Sequence, residues 1–210
     1  MLVGWSEAGQ PFAFLLPRAP EEPNTMNDNF DAPQTPGAVV AFWKEAGPRR
    51  WFKKDDAFDR TFRTVFSALH FQAARRELEH WMGTHEGALA LLILLDQYPR
   101  NAFRGTAHMF ATDPLARLYA RQMVEAGMDQ EVEQPMRAFC YLPFEHSESA
   151  EDQQRSLQLN KGLKPGDFRW AQEHANIIER FSRFPHRNHV LGRVTTPEEE
   201  AFLKNGGFAG

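Results

Sequence analysis

Phe58, Phe62, Val65, Phe66, Leu69 and Ala73 recur at three- and four-residue steps, the spacing that gathers side chains on one stripe of an α-helix. Arg63, Arg75, Arg76 and Glu77 fall off that stripe, so the segment predicts a long amphipathic helix with one buried face. After a break between Gly83 and Gly87, residues 88–95 are apolar on every side. Periodicity cannot separate a buried strand from a buried helix in so short a run. Ala and Leu dominate it, however, and Ile93 is its one β-branched residue, which favours a central helix ending at Pro99.

Punctuation places the remaining helices. Thr35-Pro36 opens one through Val39, Val40, Phe42 and Trp43 that stops at Gly47-Pro48, and Asp55 is the N-cap of the amphipathic helix. Asp113-Pro114 caps a helix through Leu115, Leu118, Tyr119 and Met123 that Gly127 closes. Two more run over residues 150–159 and through Phe168, Ala171, Ala175, Ile178 and Phe181; Thr196-Pro197-Glu198-Glu199 is a capping box opening the last. No convincing alternating strand occurs, so the expected fold is all-α, a single domain of antiparallel helix pairs with short connections. Residues 17–36 carry five prolines among Glu, Asn and Asp without a hydrophobic period. They predict a disordered or loosely attached leader over 1–35, with Met26 as an alternative start, ahead of a helical domain over 36–205 and a tail over 206–210.

The chain has 210 residues, enough to bury roughly 70% of its unfolded surface without a disulfide or metal. Its one cysteine, Cys140, permits no intramolecular disulfide, and a reducing compartment, the cytoplasm, is the expectation. Between Phe139 and Tyr141, Cys140 reads as a small buried hydrophobe rather than a thiolate. A net charge of -4 with a pI near 6.1 argues against general nucleic-acid binding. The apolar runs over 12–16 and 88–95 fall far short of the about 20 residues a spanning helix needs, so no membrane element is expected.

Three stretches between helices are dense in polar groups: residues 96–105, 141–148 and 183–193. Tyr98-Pro99-Arg100-Asn101 parallels Phe184-Pro185-His186-Arg187-Asn188, and an Arg beside a Gly follows each within five residues. Two similar corners are implied, where proline ends a helix and Asn caps or folds back on the backbone. In a functional reading Arg100, Arg104, Arg187 and Arg193 are forked donors for a carboxylate or phosphate, with Asn101 and Asn188 as orienting amides. In an architectural reading these arginines pair with Asp96, Glu145, Glu148, Asp152 or Glu179 and lock the corners.

Histidine supplies a second chemistry. His146, Glu148, His174, His186 and His189 are metal-ligand types, but no pair has the i, i+4 spacing of a helix-borne zinc motif, so no metal or cofactor is expected. His174 lies at the edge of an apolar stripe, as a core histidine satisfied by one hydrogen bond or as a general base facing a cleft. The basic loop over 49–54, with Trp51 and Phe52 interleaved, either stacks on an anionic partner or docks its aromatics on the core.

Taken together and in order, Leu94-Leu95-Asp96-Gln97-Tyr98-Pro99-Arg100-Asn101-Ala102-Phe103-Arg104-Gly105, Tyr141-Leu142-Pro143-Phe144-Glu145-His146-Ser147-Glu148, Arg183-Phe184-Pro185-His186-Arg187-Asn188, Leu191-Gly192-Arg193 and Thr196-Pro197-Glu198-Glu199 resemble a bacterial domain-of-unknown-function family, number 924, over residues 36–204. The resemblance implies a helical fold grouped with the tetratricopeptide-like superfamily, and no established activity, catalytic residue or cofactor. Its motifs fall on Asp96, Gln97, Arg100, Asn101, Arg104, His146, Ser147, Glu148, His174, His186, Arg187, Asn188 and Arg193. Glu145 departs from it, since the family more often has an apolar residue such as Met there, and the leader has no counterpart, which favours Met26 as the start. The leading expectation is a binding protein that holds an anionic small molecule or acidic peptide end among Arg100, Asn101, Arg104, His146, His174, His186, Arg187, Asn188 and Arg193. The alternatives are a metal-assisted or histidine-based hydrolase using His146, Glu148 and His186, and a purely architectural polar network with a protein-binding face.

Overall fold

The amphipathic stripe that begins at Phe58 becomes α3 (Asp56–Ala74), and Phe58, Phe62, Phe66, Leu69 and Ala73 are its buried apolar side chains, as the spacing requires. The helix starts where Asp55 accepts the backbone N–H groups of Ala57 and Phe58, both at 3.1 Å. These positions belong to a computed structural model that describes residues 34–208. Met26 and nearly all of the expected leader lie outside the described residues. Among those described the secondary structure is helical throughout, with no strand.

Before α3 come α1 (Pro36–Ala46), capped by the Thr35 hydroxyl, and the single turn α2 (Pro48–Trp51). In the basic loop Trp51 docks on the core. Its indole N–H donates to the Trp43 carbonyl at 2.6 Å, and its ring meets Phe139 edge to face at 5.0 Å. Phe52 stays 69% exposed.

The apolar run is α4 (His85–Leu92), with every residue from 88 to 95 buried. It does not end at Pro99. A π-turn over Ile93–Gln97, in which the Tyr98 N–H reaches the Ile93 carbonyl, leads directly into α5 (Tyr98–Ala102). The wider turn places Pro99 in the first turn of α5, where its missing N–H has no helical partner to lose. The start of α6 (Asp113–Glu125) also differs from expectation. Thr112 holds the N-cap position and donates its hydroxyl to the Leu95 carbonyl at 2.5 Å, while the Asp113 carboxylate is taken by an arginine rather than by the helix terminus.

The chain continues through α7 (Leu142–Glu145), α8 (Ala150–Asn160), α9 (Pro165–Phe181) and α10 (Pro197–Lys204). A four-residue turn joins α8 to α9, and since the two helices pack together they run antiparallel. The Thr196–Glu199 capping box forms as expected. The main apolar cluster contains Trp43, Phe62, Phe66, Tyr98, Tyr119 and Phe139, and each large side chain fully buried there contributes about 1.5 to 3 kcal/mol. Cys140 lies in it, fully buried, with its thiol pKa pushed up chiefly by that burial. A second, small cluster gathers Ile177, Ile178 and Phe184 with Phe181, Phe202 and Phe208. Much of the polar motifs gathers in a seam where α9 packs on α7 and the turn after α9 reaches Asp113 at the start of α6, with α10 held against that turn.

Candidate functional site

The seam is organised around Asp96, which the π-turn delivers to the interior with 2% of its side chain exposed. Its Oδ1 accepts from His146 Nδ1 at 2.8 Å and lies 3.1 Å from the Arg100 guanidinium, and its Oδ2 accepts from Gln97 at 2.5 Å. Burial by itself would raise the Asp96 pKa, but the positive Arg100 and the His146 ring outweigh it and hold the carboxyl well below its ordinary value. Arg100 then forks onto Asp113, with N–O distances of 2.9 and 3.0 Å.

His146 and Glu145 come from α7 and its C-terminal cap. The His146 imidazole, 15% exposed, is held through Nδ1, and its Nε2 has no hydrogen-bond partner among the described residues. Burial and the Arg100 charge lower its pKa despite Asp96, so the ring is neutral at pH 7. Glu145 is 4% exposed, and burial, then Asp96 and Asp167, push its pKa up to about 8. His174 of α9 lies 3.3 Å from the Glu145 carboxyl and donates from Nδ1 to the Trp170 carbonyl at 2.9 Å. Burial first and His146 second bring the His174 pKa down to about 3. The pair is therefore a protonated acid beside a neutral imidazole rather than a salt bridge. His174 is a buried ring with one backbone hydrogen bond, and Glu145 occupies an apolar-compatible position in its uncharged form.

The third stretch closes the seam. Arg187 is buried, donates to the His146 carbonyl at 2.9 Å, and lies with its guanidinium 4.5 Å from the Phe110 ring centre and 4.4 Å from that of Phe184. Glu148 receives both arms of Arg193 at 2.8 Å and the Phe184 N–H at 2.9 Å. The two parallel corners thus meet physically: Tyr98 and Phe184 are both fully buried, and Arg100 and Arg187 both approach Asp113, Arg187 at 3.7 Å.

Other sequence-selected residues lie off this centre. Asn101 and Arg104 both donate to Asp59 of α3, at 2.8 and 2.6 Å. Asn188 donates to Glu199 at 3.2 Å, where Arg183 also binds at 2.5 and 2.8 Å. Of the carboxylates expected to pair with these arginines, Asp96 and Glu148 do so, whereas Asp152 pairs with Arg117 and Arg121 instead. Three consecutive residues each keep a buried polar atom without a hydrogen bond: His186 Nδ1, Arg187 Nε and Asn188 Oδ1. Among the described residues no three His, Cys, Asp or Glu side chains come together as a metal-ligand set. Asp113, Phe110 and Phe208 escaped sequence reasoning. Asp113 has a local role as a helix-start residue that masks its tertiary one, and neither phenylalanine carries any local signal.

Two grooves among the described residues lie beside the seam rather than on Asp96, Arg100, His146 or Arg187. One groove of about 330 Å³ lies between α1 and α3 beside Phe42, Glu45, Asp55 and Phe58, and another of about 190 Å³ lies between α9 and α10 beside Ile177, Phe181, Phe202 and Phe208. No described helix is long and apolar enough to cross a membrane.

Fold and seam define an all-helical domain with an arginine, histidine and carboxylate network at its helix corners. The chain belongs to the family described as bacterial protein of unknown function (DUF924), whose model matches residues 39–207. A solved structure of a protein of unknown function from Agrobacterium tumefaciens is 53% identical, with a TM-score of 0.80, over 81% of this chain and 97% of that one. None of the curated proteins compared matches the chain.

Proposed function

We propose that the protein is a binding module in which the converged motifs form a preorganised centre for a small anionic group, a carboxylate or phosphate, free or at the end of an acidic peptide. The coordination of Arg187 carries this reading. Arg100, Arg104 and Arg193 each have a carboxylate oxygen within 2.9 Å, whereas the nearest to Arg187 is 3.7 Å away and its Nε has no partner. Burial, then the like charge of Arg100, draw its pKa down to about 10. A buried guanidinium so poorly compensated is stabilised by an incoming anion. In this role Arg187 and His186 contact the ligand, while Arg100, Arg104, Arg193, Asn101, Asn188, His146 and His174 frame them. We place the module in the cytoplasm, where its single buried thiol needs no partner.

Calorimetric titration with inorganic phosphate and with acetate tests the reading. Binding is expected in the native protein and in Arg75→Ala, an exposed arginine paired with Glu77 away from the seam, weaker in Arg187→Lys, and lost in Arg187→Ala. No heat with either anion, or equal affinity in Arg187→Ala, overturns it.

One observation favours a second reading. A carboxylate holding His146 by Nδ1, with Nε2 unengaged and the ring neutral, is the arrangement of an oriented general base. Glu148 and His186 then act less directly, because Glu148 is committed to Arg193 and the Phe184 N–H. Turnover of simple ester or phosphoester substrates that vanishes in His146→Ala supports hydrolysis; turnover unchanged in that variant removes it.

A further inference from the structure

Beyond α10 the chain turns back on itself, and the return path is specified by two glycines. Gly206 has φ +80° and donates its N–H to the Leu203 carbonyl at 3.3 Å. Gly207 donates to the Phe202 carbonyl at 3.0 Å, and a Cβ on it would stand 2.6 Å from both that oxygen and the Phe202 ring. Only glycine combines the left-handed backbone of the first position with the close approach of the second.

The reversal delivers Phe208 onto the histidine side of the seam. Its ring centre is 4.5 Å from His174 and 5.2 Å from His186, inclined at 64° and 77°, and 6.4 Å from Trp170. Edge-to-face contacts of this kind between rings are attractive and seat the tail on the two imidazoles. Among the described residues Phe208 is the single ring touching both imidazoles from outside the motifs. Beneath it His186 Nδ1 is sealed without a partner, and His174 is 6% exposed. The groove of about 190 Å³ between α9 and α10, walled by Ile177, Phe181, Phe202 and Phe208 itself, offers a displaced ring an apolar seat nearby.

We propose that Gly206-Gly207-Phe208 is a latch that closes the His174 and His186 side of the seam, and that anions reach Arg187 when Phe208 lifts. The second clause rests on the anion-binding reading above; the closure of the histidines does not. The charged and titratable groups facing the two rings are Glu145, His146, Arg100 and Arg187. Both imidazoles are neutral at pH 7, so their reactivity toward an acylating reagent reports access rather than protonation.

The experiment is carbethoxylation of the full chain by diethyl pyrocarbonate, followed residue by residue by mass spectrometry, in native protein, Phe208→Ala and a chain ending at Asn205. Exposed His80 calibrates the reagent, and His70, 0% exposed, reports whether the core stays closed. His174, 6% exposed, is expected to react slowly in the native protein and about tenfold or more faster in both variants, with a smaller rise at the half-buried His186 and His70 protected throughout. Unchanged rates at His174 and His186 overturn the latch. So does a rise shared by His70, which marks Phe208 as a general prop of the fold. In parallel, stopped-flow binding of inorganic phosphate is expected to accelerate in the variants. Equal rates in all three chains overturn the gating, whereas opened histidines with no phosphate binding in any chain leave the latch standing and reject the anion reading.

Discussion

Asp96 accepts the Nδ1–H of His146 at 2.8 Å across fifty residues of chain, joining the π-turn after α4 to the end of α7. The same carboxylate lies 3.1 Å from Arg100, so its removal strands a buried cation and a buried imidazole together. Breaking a buried charged pair on one side costs more than the pair contributes when intact, because the remaining charge keeps its desolvation penalty. Asp96→Asn is therefore expected to lose about 3 to 5 kcal/mol in urea unfolding. A loss below about 1 kcal/mol, the scale of an exposed pair, shows that Arg100 is satisfied by Asp113 alone.

Glu145 sets a pH dependence of definite sign. Its pKa is about 8 in the fold against an ordinary 4.5, so the folded state keeps a proton that the unfolded chain releases. The stability Glu145 contributes is full below pH 4.5 and falls as pH rises toward 8, each tenfold difference in proton affinity being worth about 1.4 kcal/mol. His174 works from the other side: lowered from 6.5 to about 3, it contributes stability that is present above pH 6.5 and lost as pH falls toward 3. Glu145→Gln and Glu145→Met are expected to match the native protein near pH 4.5 and exceed it at pH 8 in thermal unfolding. Parallel melting curves across that range mean that Glu145 ionises in the fold.

The Glu148–Arg193 pair is expected to be unequal in its two halves. Glu148 also receives the Phe184 N–H, which its loss leaves without that acceptor, whereas loss of Arg193 leaves a carboxylate partly open to water. Glu148→Ala should destabilise more than Arg193→Ala, with a coupling energy of roughly 0.5 to 3 kcal/mol in the double-mutant cycle. Equal single losses that simply add reject a shared role in holding the third stretch.

At the start of α10, Thr196→Ala is expected to cost about 1 kcal/mol, the usual worth of an N-cap side chain. Glu199→Ala should cost more, because that carboxylate holds the Thr196 N–H, the Asn188 amide and the Arg183 fork at once. Chemical denaturation of both variants checks the order, and the reverse order confines Glu199 to its capping duty.

What could be read without the structure was whatever depends on neighbours within a few residues. The stripe from Phe58 to Ala73 follows from helical spacing, the Asp55 and Thr196 caps follow from side chains reaching three residues forward, and burial of residues 88–95 follows from their having no polar face. The likeness of the Tyr98 and Phe184 stretches was visible in the residues, but the backbone makes them different: Tyr98 is helical inside the turn that runs into α5, whereas Phe184 is extended after α9 has ended, so only one of the two prolines follows the end of a helix. The tertiary path alone decided who partners whom. Asp113 looked like a cap and became the meeting point of Arg100 and Arg187, the π-turn carried the helix past Pro99, and Phe208 found two imidazoles that precede it by 34 and 22 residues. Capping and periodicity are short-range and leave a mark in order of residues; a buried charge takes whichever partner the folded chain brings within about 3 Å, and no local pattern records that choice.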